Sequence, residues 1–211
     1  VVPIAQVFER LVKKHPLLQG NHMWFNHTVF NRNDTRFLFL ARAYLPPGQR
    51  MHTAMFTANT DGSDLREAIA FDKNVSHFDW RNDKEIIATF SIDGQVRKHV
   101  LFTDGKGNYQ VIGDGFLDFD GHCTFSPDQD WIVTNRKHGN TLEQSLLIYD
   151  LRSKQGFVLC RYKMGESKYV SGNVRCDFHP RWNQAGDQIC FDALELISWT
   201  RQLHVVYLKS M

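Results

Sequence analysis

The sequence predicts an all-β protein made of β-propeller blades, and three observations carry that expectation. Four segments align on a His-x-x-aromatic motif, starting at His27, His77, His122 and His179. Each copy runs into a polar turn and then into an apolar strand. The anchors stand 50, 45 and 57 residues apart, a spacing that suits blades of three or four short strands.

Residues 1–20 read as an N-terminal helix and linker. Ile4, Val7, Phe8, Leu11 and Val12 share one face at helical spacing, and Pro3 stands at the start. Residues 21–211 read as blades, with approximate bounds 21–70, 71–116, 117–170 and 171–211. Within each blade the turn (Asn31–Asp34, Arg81–Asp83, Ser126–Asp128, Asn183–Gly186) precedes a second strand at 37–40, 86–89, 131–134 or 188–191. A third strand follows at 53–57, 99–102, 146–149 and 203–208. The stretches 43–51 and 135–143 read as insertions between second and third strands, where substrate contacts are often carried.

Composition narrows the function. The chain has 211 residues, 42% hydrophobic and 23% charged, which is enough apolar content for a packed core. A net charge of +2 gives no general basic field, so nucleic acid is not expected as a partner. No run of about 18 apolar residues predicts a membrane span. The N-terminus lacks the charged and apolar regions of a signal peptide, which favours the cytoplasm, although without an initiator Met the chain could be a fragment. The four cysteines form no CxxC pair; Cys123 and Cys190 lie in apolar runs and are expected to be buried thiols.

A single histidine beside an aromatic is more often structural than functional. Four at one phase are different, because equivalent positions in a propeller are related by rotation about its axis. Neutral imidazoles gathered there can bind a metal or act as acid and base. The alternative is a structural hydrogen bond repeated in every blade. In Val174–Trp182, period-two alternation puts Arg175, Asp177, His179 and Arg181 on one face. The same rule groups Asp118, Asp120, His122 and Thr124. Asp177, His179 and His122 could thus form a two-His-one-carboxylate set for a divalent metal. The arginines suit an anionic substrate. Arg50 and His52, where the first insertion re-enters its blade, and Arg136, at the end of a strand, are further candidates for substrate contact.

With these motifs in view, the pattern resembles WD40-like propeller repeats of the TolB type, and more specifically the oligogalacturonate lyase family. The phased histidines, Gly121-His122 and His179-Pro180 carry the resemblance. Where that family has a further histidine and a glutamine, this chain has Asp177 and Val174. The resemblance implies a seven-bladed ring of which this chain is the C-terminal part. It implies a divalent metal, manganese in the family, held here by His122, Asp177 and His179. It implies β-elimination on an acidic, uronate-containing oligosaccharide, with His77 and Arg50 catalytic and Arg42 an alternative for the arginine. His27, His52, Arg136, Arg175 and Arg181 would then contact substrate. The rival expectation is a non-catalytic propeller that binds a protein or glycan.

Overall fold

The computed structural model describes residues 3–45, 50–94, 96–139, 141–195 and 197–208, and leaves the side chains of Ile4 and Arg50 undescribed. One helix, α1 (Ile4–Lys14), precedes four antiparallel sheets. The first contains β1 (Met23–Phe30), β2 (Arg36–Leu45), β3 (Arg50–Asn59) and β4 (Arg66–Ile69), hydrogen-bonded in sequence order. The second contains β5 (Phe78–Trp80), β6 (Glu85–Phe90), β7 (Lys98–Thr103) and β8 (Gln110–Ile112). The third contains β9 (Thr124–Phe125), β10 (Trp131–His138), β11 (Glu143–Asp150) and β12 (Gln155–Lys163). The fourth contains β13 (Arg181–Trp182), β14 (Gln188–Leu194) and β15 (Arg201–Tyr207). This is a partial β-propeller of four blades.

The polar turn between the first two strands works alike in every blade. Asn31 Oδ1 accepts the backbone N–H of Thr35 at 2.9 Å and of Arg36 at 3.0 Å. Asn82 Oδ1 accepts Glu85 N–H at 2.8 Å, Ser126 Oγ accepts Trp131 N–H at 3.0 Å, and Asn183 Oδ1 accepts Gln188 N–H at 3.1 Å. A short side-chain acceptor closes the turn and fixes the register of the strand that follows.

Alternation along the strands sends apolar residues to both faces, and the facing sides of successive blades pack on one another. Leu38, Leu40 and Met55 of the first blade join Trp80, Ile86 and Val100 of the second. Ile87 and Leu101 of the second join Phe125, Ile132 and Tyr149 of the third. Val133, Leu146 and Ile148 of the third join Phe178, Ile189 and Phe191 of the fourth. The outward face of the first blade packs against the helix: Val7, Leu11 and Leu18 bury Phe39, Ala41 and Phe56. Trp80 is fully buried, and its Nε1–H donates to the Val29 carbonyl at 3.2 Å, tying the first two blades together.

Three expectations need correction. The stretches 43–51 and 135–143 are mostly strand rather than loop. β2 and β3 pair up to Leu45 with Arg50, and β10 and β11 up to His138 with Glu143; residues 46–49 and 140 lie outside the described residues. The alternating runs 118–125 and 174–182 are mostly unpaired chain, with only Thr124–Phe125 and Arg181–Trp182 in strand. His179 has a left-handed φ of 42°, so strict alternation stops there. Cys123 is buried as expected, whereas Cys190 is half-buried; all four cysteines are free thiols.

Truncating the inter-blade tryptophan, Trp80→Ala, should remove about 3–5 kcal/mol of stability through a core cavity. Urea denaturation checks this, with a lower midpoint and an unchanged slope as the expected result.

Candidate metal and anion site

The four phased histidines line one cavity of about 1110 Å³. Three of them immediately precede or nearly adjoin the innermost strands β5, β9 and β13, and His27 sits at the register shift in β1. The His77 and His122 rings stand 3.7 Å apart between centroids, and His122 and His179 stand 4.1 Å apart. His27 lies edge-on to Phe78 at 6.4 Å.

His122 is held from two directions. Its backbone N–H donates to Asn135 Oδ1 at 2.9 Å, and its Nδ1 contacts the same oxygen at 3.0 Å. An amide oxygen only accepts, so Nδ1 carries the proton and Nε2 keeps a free lone pair. Asn135 Nδ2 contacts Gln144 Oε1 at 3.4 Å, and Gln144 Nε2 donates to the Cys176 carbonyl at 2.7 Å. Asn135 and Gln144 are both buried, so this chain of amides fixes the imidazole from beneath. Glycine is required just before it, because a Cβ on Gly121 would lie 2.1 Å from the Asn135 carbonyl oxygen.

Asp177 is buried, with two cations on it. Lys137 Nζ forms an ion pair with Oδ1, and Arg175 Nε donates to Oδ2 at 2.8 Å. Burial by itself would raise the carboxyl pKa. Lys137 and Arg175 outweigh it and hold the group below the ordinary carboxylate range. His179 lies 3.8 Å from Asp192, which is paired with Arg201 at 2.7 Å.

The ligand atoms of His122, Asp177 and His179 all lie within 4.8 Å of one another. A first-row divalent ion about 2.1 Å from each donor needs them within about 4.2 Å, a difference that small side-chain rotations close. The donor set fits such an ion chemically as well: two imidazoles, one carboxylate, and a buried Asn135 amide that fixes the tautomer of His122.

His77 stands beside this set. Burial is the main cause that pushes its imidazole down to about 3, and Arg97 and His179 add to it against an opposing pull from Asp177. Burial also pushes His122 down to about 3, helped by His77 and His179. Both are therefore neutral at pH 7. Asp120 lies 3.8 Å from His77 Nε2. It is held by the Thr89 hydroxyl at 2.5 Å and by Arg97 at 2.5 Å.

The cavity's cations differ in how they are occupied. Arg32 pairs with Asp79, Lys137 and Arg175 pair with Asp177, and Arg181 donates to the Pro180 carbonyl at 3.1 Å. Arg42 also lines the cavity, and among the described residues its guanidinium has no hydrogen-bond or carboxylate partner. Burial, with Arg97 nearby, lowers its pKa, and burial followed by the charge of Arg42 lowers that of His27. An unpaired, half-buried guanidinium can receive an anion.

Other expected contacts lie elsewhere. His52 stacks on Phe71 at 5.6 Å on the helix side of the first blade, because it alternates away from the cavity. Arg136 lies within β10, paired with Ser145, and its guanidinium sits 5.3 Å over the Phe119 ring. Neither lines the cavity. The side chain of Arg50 lies outside the described residues. His27, Arg175 and Arg181 do line it. Asn135 and Lys137 lie beyond the apolar run 131–134 that marks this strand in the sequence, and the signal that finds them is period-two alternation continued through His138, which puts both on the cavity side.

The depressed histidines couple the site to stability. In the unfolded chain they take up protons near their ordinary value of 6.5, whereas folded His77 and His122 resist until about 3 and the fully buried His99 until about 4. The unfolded state thus binds more protons in that interval, so stability falls as pH drops below 6.5. The melting temperature of metal-free protein should decline steadily from pH 6.5 towards 4, and His77→Gln should flatten part of that slope.

Comparison with known proteins places this arrangement on a familiar fold. No family model and no curated protein matches the sequence. Solved structures do. An oligogalacturonate lyase in complex with manganese superposes with a TM-score of 0.60 at 16% identity, over 88% of this chain and 49% of that one. An oligogalacturonate lyase from Vibrio parahaemolyticus gives 0.58 at 17% identity, over 86% and 48%. A putative TolB from Agrobacterium tumefaciens gives 0.59 at 11% identity, over 87% and 58%. The chain thus spans roughly half the length of these structures, and it shares the propeller fold of oligogalacturonate lyases and TolB-like proteins.

Proposed function

We propose that this chain carries the metal and anion site of a β-eliminating lyase that acts on a uronate-containing, acidic oligosaccharide. The observation that carries the reading is the presence, in one cavity, of the His122–Asp177–His179 donor set and the unpaired guanidinium of Arg42. The fold shared with oligogalacturonate lyases supports it, and the manganese in one of those structures makes Mn²⁺ the first ion to test.

Elimination next to a carboxylate has two demands. Negative charge developing on the carboxylate side must be stabilised, and the proton on the adjacent carbon must be removed. A divalent ion held by His122, Asp177 and His179 would supply Lewis-acid stabilisation of that charge. Arg42 binds the uronate carboxylate and fixes the ring. His77 takes the C5 proton; the C–H electron pair forms the new C4–C5 double bond as the C4–O bond breaks, and the leaving oxygen takes a proton from water. Burial makes His77 a weak base, and the charge of Asp177 opposes that by favouring the imidazolium, with Asp120 3.8 Å from Nε2. His27, Arg175 and Arg181 complete the polar lining that meets the sugar.

Galacturonide oligomers mixed with the protein and Mn²⁺ should yield the ultraviolet absorbance of a conjugated, unsaturated uronide. Arg42→Ala should lower kcat/KM by about 100-fold, the loss of a charge-assisted contact of about 2–3 kcal/mol. No unsaturated product from a broad uronide panel would sink the lyase reading and leave a non-catalytic propeller. Asn135→Ala, which frees the His122 ring, should weaken Mn²⁺ binding about 10- to 100-fold in an equilibrium titration.

A further inference from the structure

β10 faces the site with two polar residues one pleat repeat apart. Asn135 holds His122, and Lys137 reaches Asp177. The first contact suits a metal ligand. The second brings a positive charge onto a ligand before any ion arrives.

The geometry around Asp177 shows how that charge sits. The Asp177 side chain is 8% exposed, so bulk water screens little there. Arg175 engages Oδ2 with a directed hydrogen bond at 2.8 Å. Oδ1 receives no well-directed hydrogen bond, only the charge of Lys137. The Lys137 ammonium has a second acceptor, the Val170 carbonyl at 3.2 Å. A lysine is a point charge on a flexible stem, so it can leave Oδ1 and keep Val170. Arg175 remains on Oδ2 and stops the carboxylate from turning away.

We propose that Lys137 is a tethered cation that competes with the divalent metal for Asp177 and so sets the metal affinity of the site. The idea rests on the metal site argued above. It treats the ammonium as the occupant of that seat in the metal-free protein, displaced towards Val170 when an ion binds. No bond is made or broken beyond exchange of an ion pair for a coordinate bond. The donor set then binds metal more weakly than the same ligands would without the lysine. A purely structural lysine predicts the opposite sign, because losing it would let Asp177 drift and affinity would fall.

The experiment is a Mn²⁺ titration of the whole chain followed by electron paramagnetic resonance, with Lys137→Met, Lys137→Arg and His122→Ala alongside. Lys137→Met keeps the apolar stem and removes the charge, so it should tighten Mn²⁺ binding by about 10-fold or more, within the range that second-shell changes produce. Lys137→Arg should remain as weak as the parent. Circular dichroism checks folding, and Lys137→Gln replaces Lys137→Met if the latter is misfolded. Equal or weaker binding in a folded, uncharged variant overturns competition and makes Lys137 a positioning residue. If neither the parent nor the uncharged variants bind Mn²⁺ in a way that His122→Ala abolishes, the metal site itself fails and the competition falls with it. That result differs from parent and variant binding alike, which leaves the metal site standing.

Discussion

A blade is apolar on both faces and can bury neither alone. Stacking blade on blade is therefore the constraint that organises the molecule. Leu38 and Leu40 need Trp80 and Ile86, and Val133 and Leu146 need Phe178 and Phe191. Once the sheets stack about a common axis, the starts of their inner strands face one another. The convergence of His77, His122 and His179 is thus a by-product of core packing, and no contact among the histidines had to drive it. The helix enters the same logic, since Val7 and Leu11 cover the face of the first blade turned away from the second.

Burial then dictates the chemistry. Burial drives His77 and His122, whose rings stand 3.7 Å apart, to the neutral form, in which an imidazole is a ligand or a base. The carboxylate beside them behaves in the opposite way. It stays ionised because Lys137 and Arg175 meet it on both oxygens. The same low-dielectric cavity leaves Arg42 half-buried with no carboxylate partner among the described residues. Neutral donors, one anchored anion and one open cation are the set that an acidic substrate and a divalent ion would complement, which is why the two proposals share a site.

Much of this was legible in the chain. The His-x-x-aromatic period marked the blades, because each repeat must restate the same turn and the same strand alternation. Asn31, Ser126 and Asn183 were readable as turn residues because a turn needs a local acceptor. His122, Asp177 and His179 could be grouped because phase in a propeller translates into position around its axis. His52 and Arg136 show where such reading stops. Each lies one residue off the phase that reaches the cavity, and the strands run further than their apolar cores suggest, so what looked like loop is a paired hairpin arm.

By itself, then, the sequence determined the propeller architecture, the phase of its histidines and the carboxylate that accompanies them, because repetition and alternation are local properties of the chain. Tertiary structure alone decided which of those side chains share water-poor space and which cations are already taken. The Lys137–Asp177 pair spans 40 residues and two blades, and Asn135, Gln144 and the Cys176 carbonyl meet only after the third and fourth sheets have packed. No spacing rule encodes those contacts. They follow from the geometry of stacked sheets, and they decide whether a group of histidines is a filler of the channel or a seat for an ion.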